Sequence, residues 1–326
     1  MFYTSLFLSF IISFSITYLT VPFLCFLAQK LGILDIPDGR LKNHVMVTPY
    51  LGGIAVFIGF ISSAPIFFSF EKHFVIFFIG LTVLLLLGLI DDIIQLKPYQ
   101  KLIGQIIAVF IFLKSGFILE VPFLGKLLCT LISFFWFLFV INAFNLVDVM
   151  DGLATILALT ALSSFFVIAL LFSQNMIIIL LSALIGSLLA FFWYNKPPAS
   201  IYLGDAGSLF IGGCCAAIPF LIPLTTINPH GYIAPVGILG IVLLEGISLI
   251  IIRIYKGIPF YLGSPDHFSI YLQQNGMSKW NILLYTCLMS IISASVALLF
   301  VFSFIGIKSA SIAAFFFLIT WFYLLI

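Results

Sequence analysis

Eleven apolar stretches, each about as long as a membrane-spanning helix, alternate with short polar connections along the chain. They run near residues 3–28, 51–70, 74–91, 100–119, 125–146, 153–172, 176–194, 207–227, 232–253, 281–303 and 309–326. None shows the alternation of a barrel strand, so each is predicted as an α-helix that satisfies its own backbone groups. If two short ones merge, the count falls to ten. The longest polar stretch, from Lys256 to Asn281, is about 26 residues, too short for a separate domain. The pattern predicts an all-α polytopic membrane protein, residues 1–326 forming a single integral membrane domain.

Composition agrees. The chain is 63% hydrophobic and 7% charged with a mean hydropathy of +1.33, which excludes a soluble domain of this length. A net charge of +2 gives no argument for nucleic acid. Cys25, Cys129, Cys214, Cys215 and Cys287 lie in apolar runs without CxxC spacing and read as small membrane-buried hydrophobes. The N-terminus has no basic region and no small-residue cleavage site before Cys25, so it reads as a first transmembrane helix.

Charge sets the orientation. With the N-terminus outside, nine of the 13 Lys and Arg fall on the inner side, which the positive-inside rule favours. Eight of the 11 acids then share that face: Asp35, Asp38, Asp91, Asp92, Asp148, Asp151, Asp205 and Asp266. The rule says nothing about acids, so their crowding needs another cause. A metal-binding site at the cytoplasmic face supplies one.

Five polar stretches occupy that face. The first loop carries Arg40, Lys42 and His44 between the Asp38-Gly39 turn and Pro49, and reads either as snorkelling interfacial charge or as phosphate binding. Asp91 and Asp92 close the third segment, where two acids oppose the helix dipole and make poor caps. Neighbouring helical residues point about 100° apart, so one is predicted to face the site and the other to support it. Asn142, Asn145, Asp148 and Asp151 recur every three residues at the end of the fifth segment. A straight helix would aim Asn142 and Asp151 in opposite directions, so the helix is predicted to end or bend near Asp148. Asp205, after Gly204, reads as a helix N-cap or as an acid holding a cation beside phosphates. Asp266 and His267 follow a Gly-Ser-Pro turn in the last loop, and Glu245 lies deeper in the ninth segment.

The spelling and order of PYLGG, LIDD, NAFNLVDVMDGLA, YLGDAGSLFIGG and LLEGISLIIIR resemble the polyprenyl-phosphate N-acetylhexosamine-1-phosphate transferases, a glycosyltransferase 4 family. The likeness covers roughly residues 1 to 310. It implies a multi-pass enzyme of the bacterial cytoplasmic membrane with a cytoplasmic Mg²⁺ site, Mn²⁺ being an alternative ion. Such enzymes move a sugar-1-phosphate from a UDP-sugar to undecaprenyl or another polyprenyl phosphate, releasing UMP, at the first membrane step of envelope polysaccharide synthesis. The resemblance admits a homodimer.

Carried over by position, Asp205 is the metal-binding aspartate and Asn145 lies close to that metal. Asp91 and Asp92 serve the lipid-phosphate nucleophile or the metal. Lys42 and His44 form a basic phosphate-binding loop, Asp148 and Asp151 belong to the nucleotide pocket, and Asn142, Gly204, Asp266 and His267 complete the substrate set. Two departures stand out. Val149 follows Asp148 where the family often has Gly, and the family's His-x-His-His cluster is reduced to His267-Phe268-Ser269-Ile270. Pro49-Tyr50-Leu51-Gly-Gly is closer to the GlcNAc-1-phosphate side than to the phospho-MurNAc-pentapeptide transferases. A secondary transporter is the rival from another class; it predicts a site at the bilayer midplane, against the one-sided crowding of acids.

Overall fold

The computed structural model describes residues 2–35, 48–67, 72–121, 123–259 and 261–325. Lys42 and His44 lie outside the described residues. Each apolar segment forms a helix: α1 (Phe2–Leu31), α2 (Gly52–Ser63), α3 (Lys72–Ile94), α4 (Pro98–Lys114), α5 (Lys126–Val147), α6 (Leu153–Leu171), α7 (Asn175–Asn195) and α8 (Gly204–Ala217). There follow α9 (Ala234–Ile238), α10 (Gly240–Tyr255), a short α11 (Phe268–Gln274), α12 (Lys279–Val301) and α13 (Ile307–Leu325). Among the described residues seven helices are long and apolar enough to cross a membrane, or eight if a bent pair counts as one span. The chain is a multi-pass membrane protein.

The ninth apolar segment departs from expectation. It breaks between α9 and α10, and the pieces meet at 69°. Pro235 and the neighbouring glycines Gly237 and Gly240 lie at this break, where both residue types weaken helix continuity. A second departure is a two-residue antiparallel pairing of β1 (Leu34–Asp35) with β2 (Thr48–Pro49) in an otherwise helical chain.

The bundle is built around α8. Of the apolar window that begins at Gly204, 83% is buried, more than for any other candidate span. It packs against α2, α3 and α5, while α7 packs against α1, α2 and α6, and α12 against α6. Small residues permit this close approach, since lipid gives apolar helices no separate drive to associate. A side chain at Gly88 of α3 would strike the Asp205–Ala206 backbone, so α3 can lie directly against the start of α8. Hydrogen bonds join the helices: Ser9 meets Ser182, Ser63 donates to the Ser9 carbonyl at 2.7 Å, and Trp136 Nε1 donates to Ala216 at 3.0 Å.

Candidate active site

The C-terminal ends of α3, α5 and α7 and the N-terminal ends of α8 and α12 gather at one end of the bundle. There they surround a cavity of about 690 Å³. Among the described residues its lining includes six carboxylates, Asp35, Asp91, Asp92, Asp148, Asp151 and Asp205, and two basic groups, Lys279 and His267. The acids that crowd one face in sequence therefore share one space.

Asp91 and Asp92 divide their work as helix geometry requires. One oxygen of Asp91 accepts the Leu96 amide at 2.6 Å, closing the turn that follows α3. The other meets Lys101 Nζ at 2.9 Å. Asp92 sends both oxygens across to α8, accepting the Asp205 amide at 2.8 Å and the Ala206 amide at 3.0 Å. It thus caps a different helix from its own, at the end where the dipole favours an anion. The expectation that these acids are poor caps holds for α3 and fails for α8. Asp205 is not itself the N-cap but sits in the first turn, capped by Asp92. Gly204 makes the approach possible: its φ is +73, and a Cβ there would lie 2.8 Å from an Asp92 oxygen.

Lys101 is the centre of the cluster. Its ammonium lies 2.7 Å from Asp205 Oδ2, 2.9 Å from Asp91 Oδ2 and 3.1 Å from Asn145 Oδ1. Asn145 turns its amide N–H to Asp205 Oδ1 and, at 2.9 Å, to Ser208 Oγ. In sequence Lys101 passes for an ordinary inner-face anchor. The signal that could have found it is the short link Gln95–Lys97, which folds α4 back along α3 and returns its first turn to Asp91.

Two carboxylates and an amide carbonyl now point at one cation. These are hard oxygen donors of the kind that hold Mg²⁺ together with substrate phosphates. Among the described residues no three His, Cys, Asp or Glu side chains form a metal-binding group. A divalent ion here would therefore need phosphate oxygens to complete its shell, which is how Mg²⁺ is commonly held in phosphoryl-transfer sites.

The chain breaks where the Asn/Asp repeat predicts. α5 ends at Val147, Asp148 leaves helical geometry with ψ +53, and Gly152 takes φ +74 before α6 begins. Asp148 and Asp151 line the cavity, but Asn142 does not. It exchanges hydrogen bonds with Gln105 at 2.8 and 3.1 Å and donates to Leu138, all lower in the bundle. One turn below Asn145, its amide is engaged by α4. Asp151 accepts Lys279 Nζ at 2.8 Å and the Ala199 amide at 3.3 Å, tying α12 and the loop after α7 to the break.

Asp148 makes no such pair among the described residues. Burial, followed by the charges of Asp205, Asp92 and Asp151, holds its carboxyl well above the usual carboxylate range. Its stabilising contribution is present below the unfolded carboxylate value and is lost as pH rises through the raised folded one. Asp148→Asn in chelator is therefore expected to raise the melting temperature near about pH 8 and to leave it unchanged near about pH 4. Scanning fluorimetry in detergent checks that sign.

Beside Gly204, the Tyr50 hydroxyl donates to Asp35. Burial first, then Asp35, pushes the Tyr50 phenol up. In the last loop His267 lines the cavity, but Asp266 does not. Asp266 pairs with Lys256 outside it. Its burial is outweighed by Lys256 and Ser264, which lower its pKa. The pair with Lys256 holds the loop to the residue just after α10.

Residues 74–222 match the family model described as glycosyl transferase family 4, a stretch running from α3 past α8 and carrying every member of the Lys101 cluster. A probable undecaprenyl-phosphate N-acetylglucosaminyl 1-phosphate transferase of Bacillus subtilis is 29% identical over 279 residues, covering 83% of this chain and 78% of the relative. The phospho-N-acetylmuramoyl-pentapeptide-transferase of Enterococcus faecalis is 33% identical over 247 residues, 68% of this chain and 76% of the relative. That of Listeria welshimeri is 32% identical over 308 residues, 85% and 92% respectively.

Proposed function

The chain belongs to glycosyl transferase family 4, and on that premise we propose that it transfers N-acetylglucosamine-1-phosphate from the UDP-sugar to undecaprenyl phosphate, releasing UMP. The observation that carries this reading is the convergence of Asp91, Asp205 and Asn145 on one cation at the wall of an acid-lined cavity. A cavity lined by six carboxylates repels a diphosphate unless cations enter with it. That repulsion supports dependence on a divalent ion held by Asp205, Asp91 and Asn145. Mg²⁺, when bound, supplies neutralisation of the charge that develops on the diphosphate.

The protein's own groups divide the remaining work. Asp92 is fully occupied as the cap of α8, so its task is to position Asp205. Asp91 keeps one oxygen directed at the cluster, where it would join Asp205 and Asn145 in holding the cation against which the lipid phosphate is oriented. That phosphate is largely ionised near pH 7, so orientation is a larger need than deprotonation. The lipid enters sideways from the bilayer, consistent with a site at the helix ends. The N-terminus lies outside, and the cavity opens to the cytoplasm of a bacterial inner membrane, in keeping with the excess of basic residues on that side.

The relatives from Enterococcus and Listeria favour a second reading, in which the transferred group is phospho-MurNAc-pentapeptide. A substrate panel decides between them. Purified protein with undecaprenyl phosphate and Mg²⁺ is expected to release UMP from UDP-GlcNAc and not from UDP-MurNAc-pentapeptide. The reverse preference establishes the second reading.

A further inference from the structure

Glu245 stands in the apolar helix α10, far in sequence from the Lys101 cluster, and is 1% exposed. An acid there is costly unless it is satisfied. Its Oε1 lies 3.1 Å from His267 Nδ1 and 3.3 Å from the Phe268 amide, at the start of α11. That oxygen already accepts the Phe268 amide, and the His267 tautomer with its proton on Nδ1 gives it a second donor. Nε2 is then the ring atom left for a ligand, and it has no hydrogen-bond partner among the described residues. The loop before it is fastened to the same helix by Arg253 Nε on Ser264 Oγ at 2.9 Å, and to the residue just after that helix by Lys256 on Asp266. Thus the polar groups of α10 and its C-terminal edge hold the segment that carries His267.

The other basic groups described in or beside the cavity are already engaged. Lys279 is paired with Asp151, and Lys101 with Asp91 and Asp205. Among the described basic residues, His267 is the one that lines the cavity and keeps a ring nitrogen outside any pair. We infer that Glu245 is a positioning residue that fixes the His267 ring and aims Nε2 at the bound nucleotide sugar. This inference rests on the proposed transferase reading. It also explains how this chain manages with one histidine where its family pattern has three: Ser269 is wholly buried, Ile270 is an apolar wall, and the remaining ring is held by a buried carboxylate.

The test is a double-mutant cycle on the purified full-length protein, read as kcat/KM for the UDP-sugar, with melting temperatures alongside. His267→Ala and Glu245→Leu are each expected to lower kcat/KM by about 10–100-fold, as loss of an orienting partner does elsewhere. Glu245→Gln keeps an acceptor without the charge and should recover part of that loss. In the His267→Ala background, either Glu245 substitution should cost less than about twofold more. If Glu245→Leu does not fold, the Glu245→Gln cycle carries the same test. Additive losses, or a Glu245→Gln protein that melts lower with unchanged kcat/KM, overturn the positioning role. A wild-type protein that releases no UMP from any UDP-sugar overturns the transferase reading instead.

Discussion

Asp205→Asn is expected to lower UMP release by about 10²–10³-fold while the melting temperature changes little, the size of loss seen when one preorganised electrostatic group is removed from a reacting centre. The substitution keeps volume and keeps the backbone amides that Asp92 caps. What it removes is one unit of negative charge from the oxygens that converge on Lys101. A neutral amide binds a hard divalent cation far less well than a carboxylate, so the apparent requirement for Mg²⁺ should rise as turnover falls. Steady-state assays across a Mg²⁺ titration check both effects. Near-normal turnover at ordinary Mg²⁺ would remove Asp205 from the metal site.

Lys101→Met is expected to act in the opposite direction on metal binding. The ammonium and a divalent ion compete for the same three oxygens, so deleting the ammonium should increase affinity for Mg²⁺. Without metal, however, Asp91 and Asp205 are left facing each other uncompensated. Breaking a fully buried pair costs about 3–5 kcal/mol. The cost here is smaller, because the Asp205 side chain keeps 32% of its surface exposed. The variant should therefore melt several degrees below wild type in chelator and gain more than wild type when Mg²⁺ is added. Scanning fluorimetry with and without Mg²⁺ reads this, independently of turnover. Equal Mg²⁺-induced shifts in the two proteins would show that the ion binds elsewhere.

These predictions draw on features that the sequence reveals unevenly. Apolar runs of spanning length mark every main helix, because backbone satisfaction in lipid leaves few alternatives. The break after Val147 is equally legible, since a repeat of three cannot keep one face on a helix of 3.6 residues per turn. Partnerships between helix ends are not legible in this way. Asp92 caps α8 from α3, a contact that depends on Gly88 letting two backbones meet, and no local pattern around Asp92 announces it. Lys101 looks like an interfacial anchor until the α3–α4 turn brings it onto Asp91. Asn142 carries the same residue type and spacing as Asn145, yet one turn of helix places it beside Gln105 instead of the cavity. Glu245 is conspicuous as an acid in an apolar helix, but its partner comes from a loop 22 residues away.

The most direct test of the account follows the β-phosphorus. UDP-GlcNAc labelled there with ³²P is incubated with purified protein, undecaprenyl phosphate and Mg²⁺, and the products are separated. Phosphoryl transfer predicts label in a lipid-linked diphosphate sugar, unlabelled UMP in equal amount, and no product when the lipid phosphate is omitted. Label recovered in UDP, with the sugar alone moved to the lipid, would contradict it.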